Sequence, residues 1–140
     1  MDHNYISIVL ADDHKIIRAS WKALLENDSR FRVVADCHNG DHVIDQVRKL
    51  RPDILIVDIT LSPENGFQVT RQVAAEFPQI GIIGLSVNNQ PKYAIKMTEL
   101  GARGYLTKTS TLEEIIQGIT EVHKGNIYIC EEVRKHMPAL

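Results

Sequence analysis

Short apolar runs alternate with stretches whose apolar residues recur at helical spacing, five times along the chain. Ile6–Ala11 is apolar almost throughout, as a strand covered on both faces should be. Residues 15–27 follow with Ile17, Trp21 and Leu24 at helical spacing. Phe31–Cys37 is more mixed, and its Arg32 and Asp36 predict a strand at the sheet edge. A helix over 41–50 has Val43, Val47 and Leu50 one turn apart, and Arg51-Pro52 ends it. Ile54–Asp58 is the second apolar strand. The spacing then predicts a helix over 67–77, with Phe67, Ala74 and Phe77 on one stripe and Pro78 as its stop. Residues 80–86 read as the fourth strand. Pro91 opens a helix at its first turn and Gly101 closes it; the run to Leu106 is the fifth strand. Thr111-Leu112-Glu113-Glu114 is a capping box. Its helix has Leu112, Ile115, Ile116, Ile119 and Val122 on one face and stops at Gly125.

Units of this length imply an α/β fold: a doubly wound, five-stranded parallel sheet with helices on both faces. Ligands of such sheets sit at the carboxyl ends of the central strands. There the chain places Asp12 and Asp13, then Asp58, then Ser86, and Lys108 just after the fifth strand. In the order 2-1-3-4-5 these groups meet on one rim. Three converging carboxylates are costly unless a cation is shared. Oxygen ligands suit Mg²⁺, and Lys108 is a point-charge donor for a phosphoryl or carboxylate oxygen. Asp58, beside a metal, a cation and the Ser86 hydroxyl, reads as a phosphoryl-accepting nucleophile.

Composition narrows the class. At 140 residues, with 44% apolar and 24% charged residues, the chain is one ordinary globular domain. Its net charge of −2 lacks the basic excess of an isolated nucleic-acid-binding module. Its apolar runs fall far short of the roughly 20 residues a membrane helix needs. Cys37 and Cys130 form no CxxC pair and read as reduced packing residues. The histidines read as surface or loop residues, not as a metal cluster. Neither GxxxxGK[ST] nor GxGxxG is present. A phosphoaspartyl hydrolase would carry a second Asp two residues after its nucleophile, where Thr60 stands. A flavodoxin-like cofactor carrier would need a Ser/Thr/Gly-rich loop where His14-Lys15-Ile16-Ile17 stands.

From about residue 5 to 124 the chain resembles the response-regulator receiver domain of two-component signalling, a flavodoxin-like (βα)5 fold. The resemblance rests on Leu10-Ala11-Asp12-Asp13-His14, Ile54-Leu55-Ile56-Val57-Asp58, Gly84-Leu85-Ser86 and Gly101-Ala102-Arg103-Gly104-Tyr105-Leu106-Thr107-Lys108, in order and at the family's spacing. Asp12-Asp13-His14 and Gly125-Asn126-Ile127-Tyr128-Ile129 are similar to the NarL/FixJ subfamily.

The resemblance implies that Asp58 takes a phosphoryl group from a sensor histidine kinase. Asp13, Asp58 and the Thr60 carbonyl would hold Mg²⁺, and Asp12 a metal-bound water. Ser86 and Lys108 would contact the phosphoryl group, and Ser86 with Tyr105 would form a conformational switch, the other reading of Tyr105 being a plain core aromatic. Thr60 and Asn88 would flank the path of the hydrolytic water, and Val87 would crowd it. It further implies a signalling domain that is no enzyme beyond its own phosphorylation and dephosphorylation, a cytoplasmic location without membrane contact, and a phosphorylation-dependent homodimer. Residues 1–125 would be the receiver and 126–140 the start of a linker. DNA would be reached only through a helix-turn-helix output domain outside this chain; the alternative is a stand-alone receiver acting by protein contacts. Two departures from the family pattern stand out. Ser62, with Pro63 after it, replaces the usual Pro four residues after Asp58, while Gly66 keeps its place. Lys108 precedes Thr109 where many relatives have Pro.

Overall fold

The most apolar runs form the middle of the sheet. In a computed structural model that describes residues 4–61 and 65–137, β1 (Ile6–Ala11), β3 (Ile54–Asp58) and β4 (Gly81–Ser86) lie side by side. β2 (Phe31–Cys37) pairs with β1 at one edge, as its mixed sequence predicts, and β5 (Gly104–Thr107) pairs with β4. All pairings are parallel. Beyond the five expected strands there is a sixth. Tyr128–Ile129 forms a two-residue β6 on the outer edge of β5, so the order is β2-β1-β3-β4-β5-β6. Tyr128 N–H donates to Arg103 O at 2.8 Å and Cys130 N–H to Tyr105 O at 2.9 Å. A run of two residues carries no periodicity, which is why the sequence pattern passes over it. Residues 62–64, which include the Ser62-Pro63 departure, lie outside the described residues, as do residues 1–3 and 138–140.

α1 (Lys15–Glu26) packs on β1 and β2, and α5 (Leu112–His123) lies across β3, β4 and β5. α2 (Gly40–Leu50), α3 (Gly66–Glu76) and α4 (Pro91–Glu99) stand side by side against the sheet. The buried positions differ from three expected stripes. In α1 they are Trp21 and Leu25, with Leu24 turned outward. In α2 they are Val43, Ile44 and Val47, with Leu50 outward. In α3 they are Val69 and Val73, while the expected Phe77 is buried just past its end. One residue is 100° of helix rotation, so a stripe read one position off points at solvent. Asn39 and Asn65 cap α2 and α3 by accepting from the His42 and Gln68 amides.

The capping box of α5 is only half made. Thr111 Oγ1 accepts from Glu114 N–H at 3.2 Å. The Glu114 carboxylate instead accepts from Tyr128 Oη–H and Glu131 N–H, both at 2.8 Å. It thereby ties β6 and the short α6 (Glu131–Arg134) to α5. Cys37 and Cys130 are free and buried, which accords with packing residues. Burial pushes the Cys37 thiol up to about 12.

Candidate functional site

The carboxyl ends of β1, β3 and β4 and the residue after β5 converge, because adjacent parallel strands end on the same rim. Asp12 and Asp58 are 0% and 1% exposed. Backbone contacts fix each end. Asp12 N–H donates to Cys37 O, Ile59 N–H to Leu85 O, and Lys108 N–H to Ser86 O. Arg18, one turn into α1, donates from its guanidinium to Asp12 O at 2.7 Å and to Asp36 Oδ1 at 3.1 Å. Gly66 is required where α3 begins. A Cβ there would lie 2.3 Å from Asp58 O and 2.7 Å from Ile59 Cα, both backbone atoms.

Lys108 supplies the charge that lets the two buried carboxylates coexist. Its Nζ lies 2.8 Å from Asp58 Oδ2 and 3.0 Å from Asp12 Oδ2, and its side chain is 5% exposed. Burial alone would lower its pKa, but the hydrogen bonds to Asp58 and Asp12 hold it above the ordinary lysine value. Burial also works against the Asp58 charge. The Lys108 hydrogen bond, the Thr60 amide and the Thr60 hydroxyl outweigh it, so that carboxyl lies below its usual range. Thr60 N–H and Oγ1–H donate to Asp58 Oδ1 at 3.0 and 2.9 Å, leaving Oδ2 to Lys108. At Asp12 burial wins and the carboxyl is pushed up, with the Asp58 charge adding to the rise. Asp12 Oδ2 accepts no hydrogen bond of good geometry, although the ammonium stands beside it.

One donor atom from each of Asp12, Asp13, His14 and Asp58 lies within 4.8 Å of every other. Three carboxylates, one of them with a buried oxygen that accepts no hydrogen bond of good geometry, fit a divalent cation, since hard cations take carboxylate ligands. His14, assigned from the sequence to surface or loop, belongs to this cluster; its place directly after Asp13 was the available signal. Arg18 was also passed over, and lies one turn beyond His14. His38 and His42 stand four residues apart, with ring centroids 6.1 Å apart in an edge-on arrangement.

Ser86 and Tyr105 are linked through a backbone group that the sequence does not single out. Ser86 Oγ accepts from Asn88 N–H at 2.9 Å, and Tyr105 Oη–H donates to Asn88 O at 3.3 Å. Tyr105 is completely buried, its ring against the open side of Gly84, where a Cβ would lie 3.1 Å from Tyr105 Cδ1 and 2.9 Å from Met97 Cε. Burial pushes the phenol up to about 12. Val87, by contrast, is 75% exposed.

Residues 8–120 match the response regulator receiver domain. The chain belongs to that family. It is 31% identical over 137 residues, 98% of its length, to the transcriptional regulatory protein DegU of Brevibacillus brevis. It is 32% identical over 125 residues, 89% of its length, to the oxygen regulatory protein NreC of Staphylococcus epidermidis. This receiver chain spans 58% and 57% of those two relatives. Among solved structures, a LuxR-family two-component response regulator from Aurantimonas sp. SI85-9A1 superposes with a TM-score of 0.89 at 28% identity, over 94% of both chains. The isolated receiver domain of RcsB from Salmonella enterica serovar Typhimurium shares the fold, with a TM-score of 0.87 at 23% identity over 96% of this chain and 100% of that one. The NarL/FixJ-type resemblance and the doubly wound fold both hold.

Proposed function

We propose that this receiver accepts a phosphoryl group on Asp58 from a phosphohistidine of a sensor kinase, and that the added charge changes its conformation and assembly to control transcription. The observation that carries the reading is the buried Lys108 ammonium 2.8 Å from Asp58 Oδ2, at the end of a central strand and beside two further aspartates. In the transfer, an Asp58 oxygen forms the bond to phosphorus as the donor's P–N bond breaks. The leaving imidazole keeps the bonding pair and takes a proton from solvent. The Thr60 amide and hydroxyl hold the carboxylate in place, and Lys108 stands ready to neutralise charge on the phosphoryl oxygens. Asp13, Asp58 and the Thr60 carbonyl would hold Mg²⁺, with Asp12 reaching it through water. When bound, the ion would offset charge on the phosphoryl oxygens.

A phosphoryl group adds about −1.5 to −2 charge. It would draw Lys108 and the Ser86 hydroxyl toward it, breaking the Ser86–Asn88 bond and loosening the carbonyl on which Tyr105 Oη rests. Thr60, Asn88 and Val87 would set the access of the hydrolytic water. Residues 1–125 then serve as the receiver, and 126–140, which first add β6 and α6 to the sheet edge, would lead on to a helix-turn-helix output domain outside this chain, which alone would touch DNA. The share of DegU and NreC left uncovered supports that reading. A phosphorylation-dependent homodimer belongs to the same reading; RcsB, which shares the fold, is dimeric on DNA in its own structure. The same reading puts the chain in the cytoplasm, as a partner of the kinase; among the described residues no helix is long and apolar enough to cross a membrane. Incubation with a small phosphodonor and Mg²⁺, read by intact mass, is expected to add one phosphoryl group to the wild type and none to Asp58→Asn. Labelling of that variant, or labelling without Mg²⁺, refutes the assignment.

A further inference from the structure

The His14 ring, although exposed, is turned toward the acidic cluster. Its Nδ1 lies 2.7 Å from Lys108 Nζ. An ammonium only donates, so Nδ1 presents its lone pair to that cation and the ring proton sits on Nε2. The same Nδ1 is 3.1 Å from Asp12 Oδ1, 3.4 Å from Asp13 Oδ1 and 3.7 Å from Asp58 Oδ2. With its lone pair committed to Lys108, Nδ1 cannot donate to any of these oxygens. Four lone-pair donors therefore converge with one positive charge between them, and such an arrangement is stable only while that charge is there.

Asp13 Oδ1 and Asp58 Oδ2, the two direct carboxylate ligands of the reading above, stand 3.4 and 3.7 Å from Nδ1, close enough for all three to share one ion. Neighbouring ligands on a six-coordinate cation with bonds of about 2.1 Å stand about 3 Å apart. The ring is 59% exposed, so solvent-borne ions can reach it. Asp12 Oδ2, fully buried and accepting no hydrogen bond of good geometry, has the Lys108 ammonium beside it at 3.0 Å, so this side of the cluster already draws a cation independently of the ring.

We propose that His14 Nδ1 is a direct ligand of the divalent cation held by this aspartate cluster, and that it biases the site toward first-row transition ions over Mg²⁺. This rests on the cation-binding reading above. Mg²⁺ prefers oxygen and keeps its waters, so it gains little from an imidazole. Affinity for nitrogen rises along the first transition row, so an ion such as Co²⁺ gains a bond there. Lys108 is the occupant each ion displaces, since it contacts His14, Asp12 and Asp58 together.

The test uses the full chain with MgCl₂ or CoCl₂ alone, comparing wild type with His14→Ala and His14→Asn. Calorimetry is expected to show Co²⁺ affinity falling at least about tenfold in both variants, with Mg²⁺ affinity changed less than about twofold. Proton NMR of the Co²⁺ form should show one exchangeable, hyperfine-shifted imidazole N–H resonance in the wild type and none in the variants. Its absence from the wild type, unchanged Co²⁺ affinity in the variants, or an equal loss for both ions overturns the inference. A wild-type chain that binds neither ion instead overturns the cation site itself, and with it the function proposed above.

Discussion

Replacing Lys108 with Met tests how the acidic pocket is held together, because Met keeps the apolar stem and removes only the charge. Nζ sits 2.8 Å from Asp58 Oδ2 and 3.0 Å from Asp12 Oδ2. At an effective dielectric of about 20, each contact is worth about 6 kcal/mol before desolvation. Desolvation of the buried ions takes back several kcal/mol each, and removing one partner of such a group typically costs about 3–5 kcal/mol. Lys108→Met should therefore lower unfolding free energy at pH 7.5 by about 3 kcal/mol, read from urea denaturation.

The sign of the pH dependence is fixed by the two kinds of shift. The folded pKa of Lys108 is raised, so its contribution is fully present below the unfolded lysine value of about 10.4. It does not vary between pH 5 and 8. The Asp12 pKa is raised already in the wild type, and losing the ammonium raises it further. The folded variant therefore takes up a proton more readily than its unfolded chain, and its stability recovers as pH falls through that pKa. The gap to wild type should narrow toward pH 5. Mg²⁺ should stabilise the variant by about 2.7 kcal/mol at a hundredfold excess over the variant's Kd, and the wild type by less at the same concentration, since there an ammonium has to be displaced. Equal stability at pH 7.5, or a gap that is constant with pH, refutes the reasoning.

Asp13→Ala should abolish measurable Mg²⁺ binding in calorimetry, while Lys108→Met leaves it intact or tightens it; an equal loss in both would remove the division of roles. Gly66→Ala drives a Cβ into backbone at Asp58 O and Ile59 Cα, which cannot yield as a side chain can. A loss of about 3 kcal/mol is expected, visible as a lower urea midpoint, and an unchanged midpoint would mean α3 can shift freely. Val87→Ala should speed loss of the phosphoryl group by up to about fivefold, since 1 kcal/mol of barrier is worth about that much; a decay rate unchanged or slower would show that this side chain does not gate the water.

The sequence alone determined the alternation of strand and helix, the edge position of β2 and the strand ends that carry Asp12, Asp13, Asp58, Ser86 and Lys108. Buried parallel strands leave near-continuous apolar runs, and their polar termini stand out against them. Tertiary structure decided what local periodicity cannot encode. Whether Trp21 and Leu25 or Leu24 face the core depends on the rotation of α1 against the sheet. Glu114 abandons its capping partner because β6, fourteen residues on, offers a hydroxyl and α6 an amide. The Ser86–Asn88–Tyr105 relay runs partly through a backbone carbonyl, which has no sequence signature. His14 joins the aspartates because α1 starts directly at the end of β1 and turns the ring toward Lys108, 94 residues away. Chain separation of that order is bridged by the sheet, which brings remote strand ends to one rim, where the buried Lys108 ammonium holds the Asp12 and Asp58 carboxylates together.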